Sequence, residues 1–354
     1  MSIFRTFRHA FPGVPLALAS AVLFGATAPL SKILLGSVGP FLLAGLLYLG
    51  AGVGLAVLLA VRGFGSIASN EAPLRRGDVP WLLAAIGAGG VIGPLFLMFG
   101  LSLTTASNAA LMLNLEGVAT LAIAWIAFRE NVDRRLLFGA ASIVAGAVLL
   151  SWSGQGVSID KGAMLVAGAC LAWGIDNNLT RKISGADPVL ITMLKGLVAG
   201  SVNLVLAFLY GATLPPSSTV LAAAVVGFFG VGVSLVMFIL ALRYLGTART
   251  GAYFALAPFI GAVLAVGLLG EPVTLQLLLA AVLMGIGLWF HLAERHSHEH
   301  SHEALAHEHR HVHDEHHQHS HDGPVTEPHS HWHVHKPMVH SHPHYPDLHH
   351  RHSH

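Results

Sequence analysis

Runs of about 20 apolar residues recur along the first 292 positions, at 14–35, 39–61, 79–101, 106–128, 136–153, 161–181, 188–209, 219–242, 249–269 and 273–292. At about 1.5 Å of rise per residue, a helix of this length crosses a hydrocarbon core of about 30 Å. The pattern predicts ten transmembrane helices. The links are mostly short, so successive helices run antiparallel and pack as one bundle. The longest internal link, Arg62 to Asp78, contains Gly63, Gly65 and Pro73 and is the one with room for a surface helix. After Arg295 the pattern stops, and residues 296–354 carry almost no aliphatic side chains.

Composition sharpens this picture. The chain is 54% hydrophobic and 10% charged, against about 25% charged for a soluble protein. Its polar residues are segregated. Outside the bundle interior and the tail, thirteen Lys and Arg fall on the side of the N-terminus if the first run begins inside, and two, Lys32 and Lys161, fall on the other. That asymmetry predicts an inner or plasma membrane protein with both termini cytoplasmic. The first run is too long for a signal-peptide core and lacks a small-x-small cleavage site, so it reads as a span. Trp81, Trp125, Trp152 and Trp289 sit near span ends, as interfacial anchors do. Cys170 is the one cysteine and has no internal disulfide partner.

The two halves repeat. Residues 24–32, FGATAPLSK, align without gaps on 173–181, WGIDNNLTR, and Arg129-Glu130-Asn131-Val132 matches Gly270-Glu271-Pro272-Val273. Five spans per half place the second copy upside down relative to the first, with a site expected near the midplane. The stretch Ala241-Leu242-Arg243-Tyr244-Leu245-Gly246 through Ala257-Pro258 to Gly270-Glu271-Pro272-Val273-Thr274 resembles the EamA-type repeat of the drug/metabolite transporter superfamily. Phe128-Arg129-Glu130 with Gly139 and Gly146 resembles its first-half copy. The resemblance implies an all-α membrane protein of ten helices in two inverted five-helix repeats, 14–153 and 161–292, and composition predicts a disordered tail, 296–354. It does not define a substrate, since members carry amino acids, nucleobases, sugars, polyamines and drugs. Where the family usually has proline in the fourth helix, as Pro258 stands in the ninth, this chain has Glu116-Gly117.

Charge inside the spans is the candidate chemistry. An acidic side chain at a helix centre costs roughly 2.5 to 3.5 kcal/mol on insertion scales, so it faces a protein interior or water. Glu116 lies in such a place, among small Ala109, Ala110, Gly117 and Ala119, and Asn114 is two residues away. Asp176 and Lys195 lie at matching depth, on helices six and seven, and are expected to meet as a pair. Trp173, one turn before Asp176, offers an aromatic wall for a cationic or apolar group. Asn177 and Asn178 beside Asp176 point to a polar cavity. These six residues, Glu116, Asp176, Lys195, Trp173, Asn177 and Asn114, are the expected substrate site. Asn203 and Thr27 read as interhelical hydrogen bonding, and Glu130 and Glu271 as braces for the helices that follow them. No nucleotide-binding loop or catalytic triad spacing is present, which argues against an enzyme.

The tail holds 23 of the 25 histidines in 59 residues, mostly as His-x-His. In extended chain, i and i+2 share a side, so pairs of imidazoles can meet one ion. His298, His300, His302, His307, His309, His311, His313, His331, His333 and His335 are the expected ligands for zinc, nickel, cobalt or copper. No cofactor is required for the bundle. The sequence therefore reads as a secondary transporter, in the exporting direction, of a small polar or amphipathic metabolite, with possible proton exchange at Glu116. A transition-metal efflux permease with a collecting tail is the alternative, and a membrane anchor for a metal-binding tail is a third class. Expected partners are a small-molecule substrate, lipid, divalent metal ions and a second copy in a homodimer, and no nucleic acid.

Overall fold

A computed structural model describes residues 13–64, 74–128, 132–152, 160–183 and 186–292, with 296–302, 305–311, 329–335 and 338–344 in the tail. Among these residues the bundle consists of α1 (Gly13–Leu34), α2 (Pro40–Phe64), α3, α4, α5 (Arg134–Ser151), α6 (Lys161–Thr180), α7 (Pro188–Leu209), α8, α9 (Ala257–Leu269) and α10 (Leu275–Leu292). Three of these are composite. In α3, the α-helical segments Val79–Ala85 and Gly93–Leu103 are joined by a π-helical segment, Ile86–Ile92. In α8, Ser217–Gly227 and Ser234–Phe254 flank a second π segment, Phe228–Val233. Helix α4 breaks into α4a (Ala106–Met112) and α4b (Leu115–Phe128).

Helix starts follow local chemistry. Asp133, Asp160 and Asp187 each accept backbone N–H groups of the first turn of α5, α6 and α7, at 2.7 to 3.4 Å. Pro188 takes the opening position of α7, where a missing N–H costs nothing. Gly270 ends α9 in the left-handed region at φ 65°.

Among the described residues seven helical stretches are long and apolar enough to cross a membrane: Gly13–Leu34, Pro40–Val61, Arg76–Leu103, Ala106–Ala127, Arg134–Ser151, Pro188–Leu209 and Ser217–Ala241. Ala257–Leu269 and Leu275–His291 are apolar and shorter. Lipid gives no hydrophobic drive for helix association, so small residues at crossings matter. A Cβ on Gly196 of α7 would lie 2.6 Å from the Gly52 nitrogen of α2, and one on Gly287 of α10 would lie 2.6 Å from the Gly139 oxygen of α5. These glycines let the helix pairs α2/α7 and α5/α10 touch along their backbones. The four anchor tryptophans, Trp81, Trp125, Trp152 and Trp289, are all exposed, and Lys182 lies 6.0 Å over the Trp81 ring.

Two expectations change. The eighth helix does not end near residue 242 but runs on to Phe254, so the ninth begins at Ala257. The residues read as a link, Arg243 to Arg249, instead continue the helix, because a helical backbone satisfies its own hydrogen bonds without a turn. In the tail, where disorder was expected, the described backbone pairs as two antiparallel ribbons. Strand β1 (His296–His302) lies beside β4 (Met338–His344), and β2 (Leu305–His311) beside β3 (His329–His335). A strict two-residue alternation suits extended chain, although two-stranded ribbons have little stability of their own in water. His313 lies outside the described residues.

Candidate functional site

The polar groups of the bundle gather around the π segment of α3. A π turn closes i to i+5 and recurs at functional positions. Here its carbonyls take donors from three neighbouring helices. The Gly89 oxygen accepts from Tyr48 Oη of α2 at 3.0 Å and from Trp173 Nε1 of α6 at 2.9 Å, and the Gly90 oxygen accepts from Asn203 Nδ2 of α7 at 3.2 Å.

Against the same segment lies the expected ion pair. Lys195 Nζ donates to both oxygens of Asp176 at 2.6 Å, and each side chain is 9% exposed. Thr180 Oγ1 donates to Asp176 Oδ1 at 2.8 Å and lies 3.4 Å from Lys195 Nζ. A Cβ on Gly89 would fall 1.9 Å from Asp176 Oδ2, so glycine is what lets the carboxylate reach the π segment. Trp173 is half-buried with its N–H committed to Gly89, one turn from Asp176 as its spacing predicted.

Glu116 opens the first turn of α4b and meets α6 on its other polar residue. Asn177 Nδ2 donates to Glu116 Oε1 at 2.9 Å and lies 3.2 Å from Thr120 Oγ1, while Thr120 Oγ1 donates to the Glu116 carbonyl at 2.8 Å. Asn178 Nδ2 ties the same turn through the Thr120 oxygen at 3.1 Å. The exposure pattern of α6 shows what Asn177 faces. Leu171 and Ile175 are 53% and 40% exposed and mark one outer face. Asn177 is also exposed, yet it stands about 200° around the helix from Ile175, at about 100° per residue. Its exposure is therefore to the inside of the bundle. The packing of α4 agrees, since α4a packs on α9, α1 and α6, whereas α4b packs chiefly on α6 and α5. The two segments part company at Leu113 and Asn114, and the Glu116–Asn177 pair lies past this break, on the part of α6 nearer the end of the bundle where α1 begins.

Five of the six expected site residues thus form two adjoining clusters on α6, Asp176–Lys195 with Trp173, and Asn177–Glu116. Asn114 does not join them. Its Nδ2 donates to the Leu111 oxygen at 2.8 Å and lies 3.8 Å from Met284 Sδ, bracing the break in α4 against α10. Asn178, read with Asn177 as pointing to a polar cavity, joins the site, as do Tyr48, Thr120 and Thr180, which were not among the expected residues, and Asn203, read as a structural hydrogen bond, ties α7 to the π segment. The glycine cluster before Pro94 was the one signal for Tyr48. Glu271 also differs from expectation, since it serves α4 and not the helix that follows it. Among the described residues, no three His, Cys, Asp or Glu side chains come together.

The site draws on both halves, but its ion pair belongs to the second alone. In the repeat alignment Thr27 stands where Asp176 does, and counting from the opening prolines Pro40 and Pro188, Leu47 stands where Lys195 does. The architecture is otherwise kept, since a Cβ on Gly230 of the second π segment would meet Thr27 Oγ1 at 2.3 Å.

Apolar helices long enough to span a bilayer, with charge and amide groups gathered between them, fit a multi-pass membrane transporter. The chain belongs to the EamA-like transporter family, which it matches over residues 11–152 and 160–293. It is 30% identical over 289 residues to an "Uncharacterized transporter" of Methanothermobacter thermautotrophicus, covering 77% of this chain and 83% of that one. It is 27% identical over 301 residues to a "Probable amino-acid metabolite efflux pump" of Salmonella typhimurium, covering 78% and 93%. A solved crystal structure superposes with a TM-score of 0.58 at 21% identity, covering 79% of this chain and 96% of that one.

Proposed function

We propose that this chain exports a small amphipathic metabolite carrying both an ammonium and a carboxylate, and that α1 to α10 all cross the membrane as two inverted repeats, 14–153 and 161–292. The excess of Lys and Arg on one side supports an inner or plasma membrane orientation with both termini cytoplasmic. The observation that carries the substrate reading is the juxtaposition along α6 of a carboxylate–amide pair, Glu116–Asn177, whose amide is exposed, and a closed pair of opposite charges, Asp176–Lys195. A substrate bearing both charges can replace each member of the closed pair with its own, so that neither is left bare in the bilayer. The relative named as an amino-acid metabolite efflux pump agrees with this chemistry. Glu116, half-exposed and paired with the exposed Asn177, can take or release a proton between states and so couple export to a proton gradient.

Counterflow of labelled amino acids in proteoliposomes tests the reading. Glu116→Gln, with normal membrane insertion, is expected to lose the dependence on a pH gradient while keeping substrate exchange. Asp176→Asn is expected to lose exchange itself. Full gradient-driven transport by Glu116→Gln removes that residue from coupling.

A further inference from the structure

At the end of the bundle away from the termini, two charged side chains serve backbone and not each other. Lys32, in the last turn of α1, donates through Nζ to the oxygens of Leu101 and Thr104, the second at 2.8 Å, where α3 ends. Glu271, in the link between α9 and α10, accepts the N–H groups of Ala106 and Ser107 through Oε1 and Oε2, at 2.7 and 2.8 Å, where α4a begins. Thr105 Oγ1 adds a cap by accepting from the Asn108 N–H at 3.3 Å. The elbow between α3 and α4 is thus gripped on both sides. A cation holds the carbonyls at one helix end and an anion holds the amides at the next helix start, each with the sign that those unpaired groups favour. Lys32 comes from the first half of the chain and Glu271 from the second, so the grip ties the halves together across the elbow.

The matching elbow at the other end has a different shape. A shift of 142 residues carries the first π segment, starting at Ile86, onto the second, starting at Phe228, and carries Leu115 at the head of α4b onto Ala257 at the head of α9. The same shift carries the bend at Leu103–Thr105 to residues 245–247, where α8 runs through unbroken to Phe254. One unit of structure therefore stands in two forms, bent and gripped at one end and straight at the other.

We propose that Lys32 and Glu271 form a latch that keeps the bundle shut at the end away from the termini, and that the transport cycle requires it to release while the α8–α9 elbow bends in its turn. This inference rests on the transporter reading for its purpose, but its test needs no substrate.

The test reads accessibility. Full-length chain carrying Cys170→Ala and Asn177→Cys is placed in right-side-out and inside-out membrane vesicles and reacted with a membrane-impermeant maleimide. With the latch intact, labelling comes from the side of the termini. Glu271→Gln and Lys32→Gln each remove charge-assisted hydrogen bonds, and each is expected to raise the labelling rate from the opposite side about tenfold. Lys32→Arg keeps the cation and is expected to behave as the parent. Should Glu271→Gln fail to accumulate in the membrane, Lys32→Gln decides, since the carbonyls it frees at the bundle end can return to water. Labelling of the parent equally from both sides, or unchanged labelling from the far side in a well-inserted latch variant, overturns the proposal. Neither outcome touches the transport assay at Glu116 and Asp176, which stands or falls separately.

Discussion

The Asp176–Lys195 pair makes the sharpest prediction, because its two possible roles respond differently to single and double substitution. Both side chains are 9% exposed, and Nζ reaches both carboxylate oxygens at 2.6 Å. Lys195→Met strands a carboxylate whose remaining neighbour, Thr180 Oγ1 at 2.8 Å, offers one hydrogen bond and no charge. Breaking a buried pair from one side costs about 3 to 5 kcal/mol. At about 2 °C per kcal/mol for a chain of this size, the melting temperature in detergent should fall by roughly 6 to 10 °C. The double variant Asp176→Asn with Lys195→Met removes both charges and keeps the Thr180 bond, so it should melt within about 2 °C of the parent. The thermodynamic cycle should return a coupling of about 2 kcal/mol or more. Transport measured on the same preparations separates brace from binding site, with the stable double variant expected to be inactive. Full transport by that variant refutes the substrate role, and parental melting of Lys195→Met refutes the burial argument itself.

Three further outcomes follow. Gly89→Ala drives a methyl to within 1.9 Å of Asp176 Oδ2 and 2.3 Å of its Cγ, so it should lower stability by about 1 to 3 kcal/mol and reduce transport more than a comparable change elsewhere on α3. Gly270→Ala places a side chain at φ 65°, at a cost of roughly 1 to 2 kcal/mol, seen as a drop of a few degrees in melting with transport rate kept. Truncation after Arg295 should leave transport intact while abolishing nickel and zinc uptake measured by equilibrium dialysis; metal retained by the truncated chain would place the ligands elsewhere.

What the sequence disclosed and what it hid have physical causes. The apolar runs located the helices because bilayer thickness sets their length. The Asp176–Lys195 contact was legible because helical rise converts sequence distance into depth, and two charges at one depth on neighbouring helices seek each other. Rotation about a helix axis is less readable. Tyr48 and Asn203 sit in apolar runs that cover the whole circumference, and nothing in their spacing tells which side meets α3. Asn114 was grouped with Glu116 by proximity, but the break at Leu113 and Asn114 turned it toward α10. The irregular winding of α3 was foreshadowed by Gly87, Gly89, Gly90 and Gly93, which reveal softness but not the π segment that gathers Tyr48, Trp173 and Asn203. The straight passage through Arg243 and Arg249 was masked by polar residues that resemble a turn.

The π segment of α3 also acts as a spacer of phase. A π turn holds one residue more than an α turn, which offsets the helix before it from the helix after it by about 100°. On one side, Leu82 and Ile86 pack with Ile183, Ile191 and Ala199. On the other, Leu97, Met98 and Leu101 enter the large core with Leu43, Leu111 and Val166. One helix thus serves two separate apolar clusters whose directions agree only because of the extra residue. Deleting Gly87, a position where even an added Cβ meets nothing within 4 Å, would return the turn to α winding and swing one cluster out of register with the other. Along this stretch the count of residues constrains the chain as well as their identity, and length variation should be excluded even at Gly87, where a side chain has room.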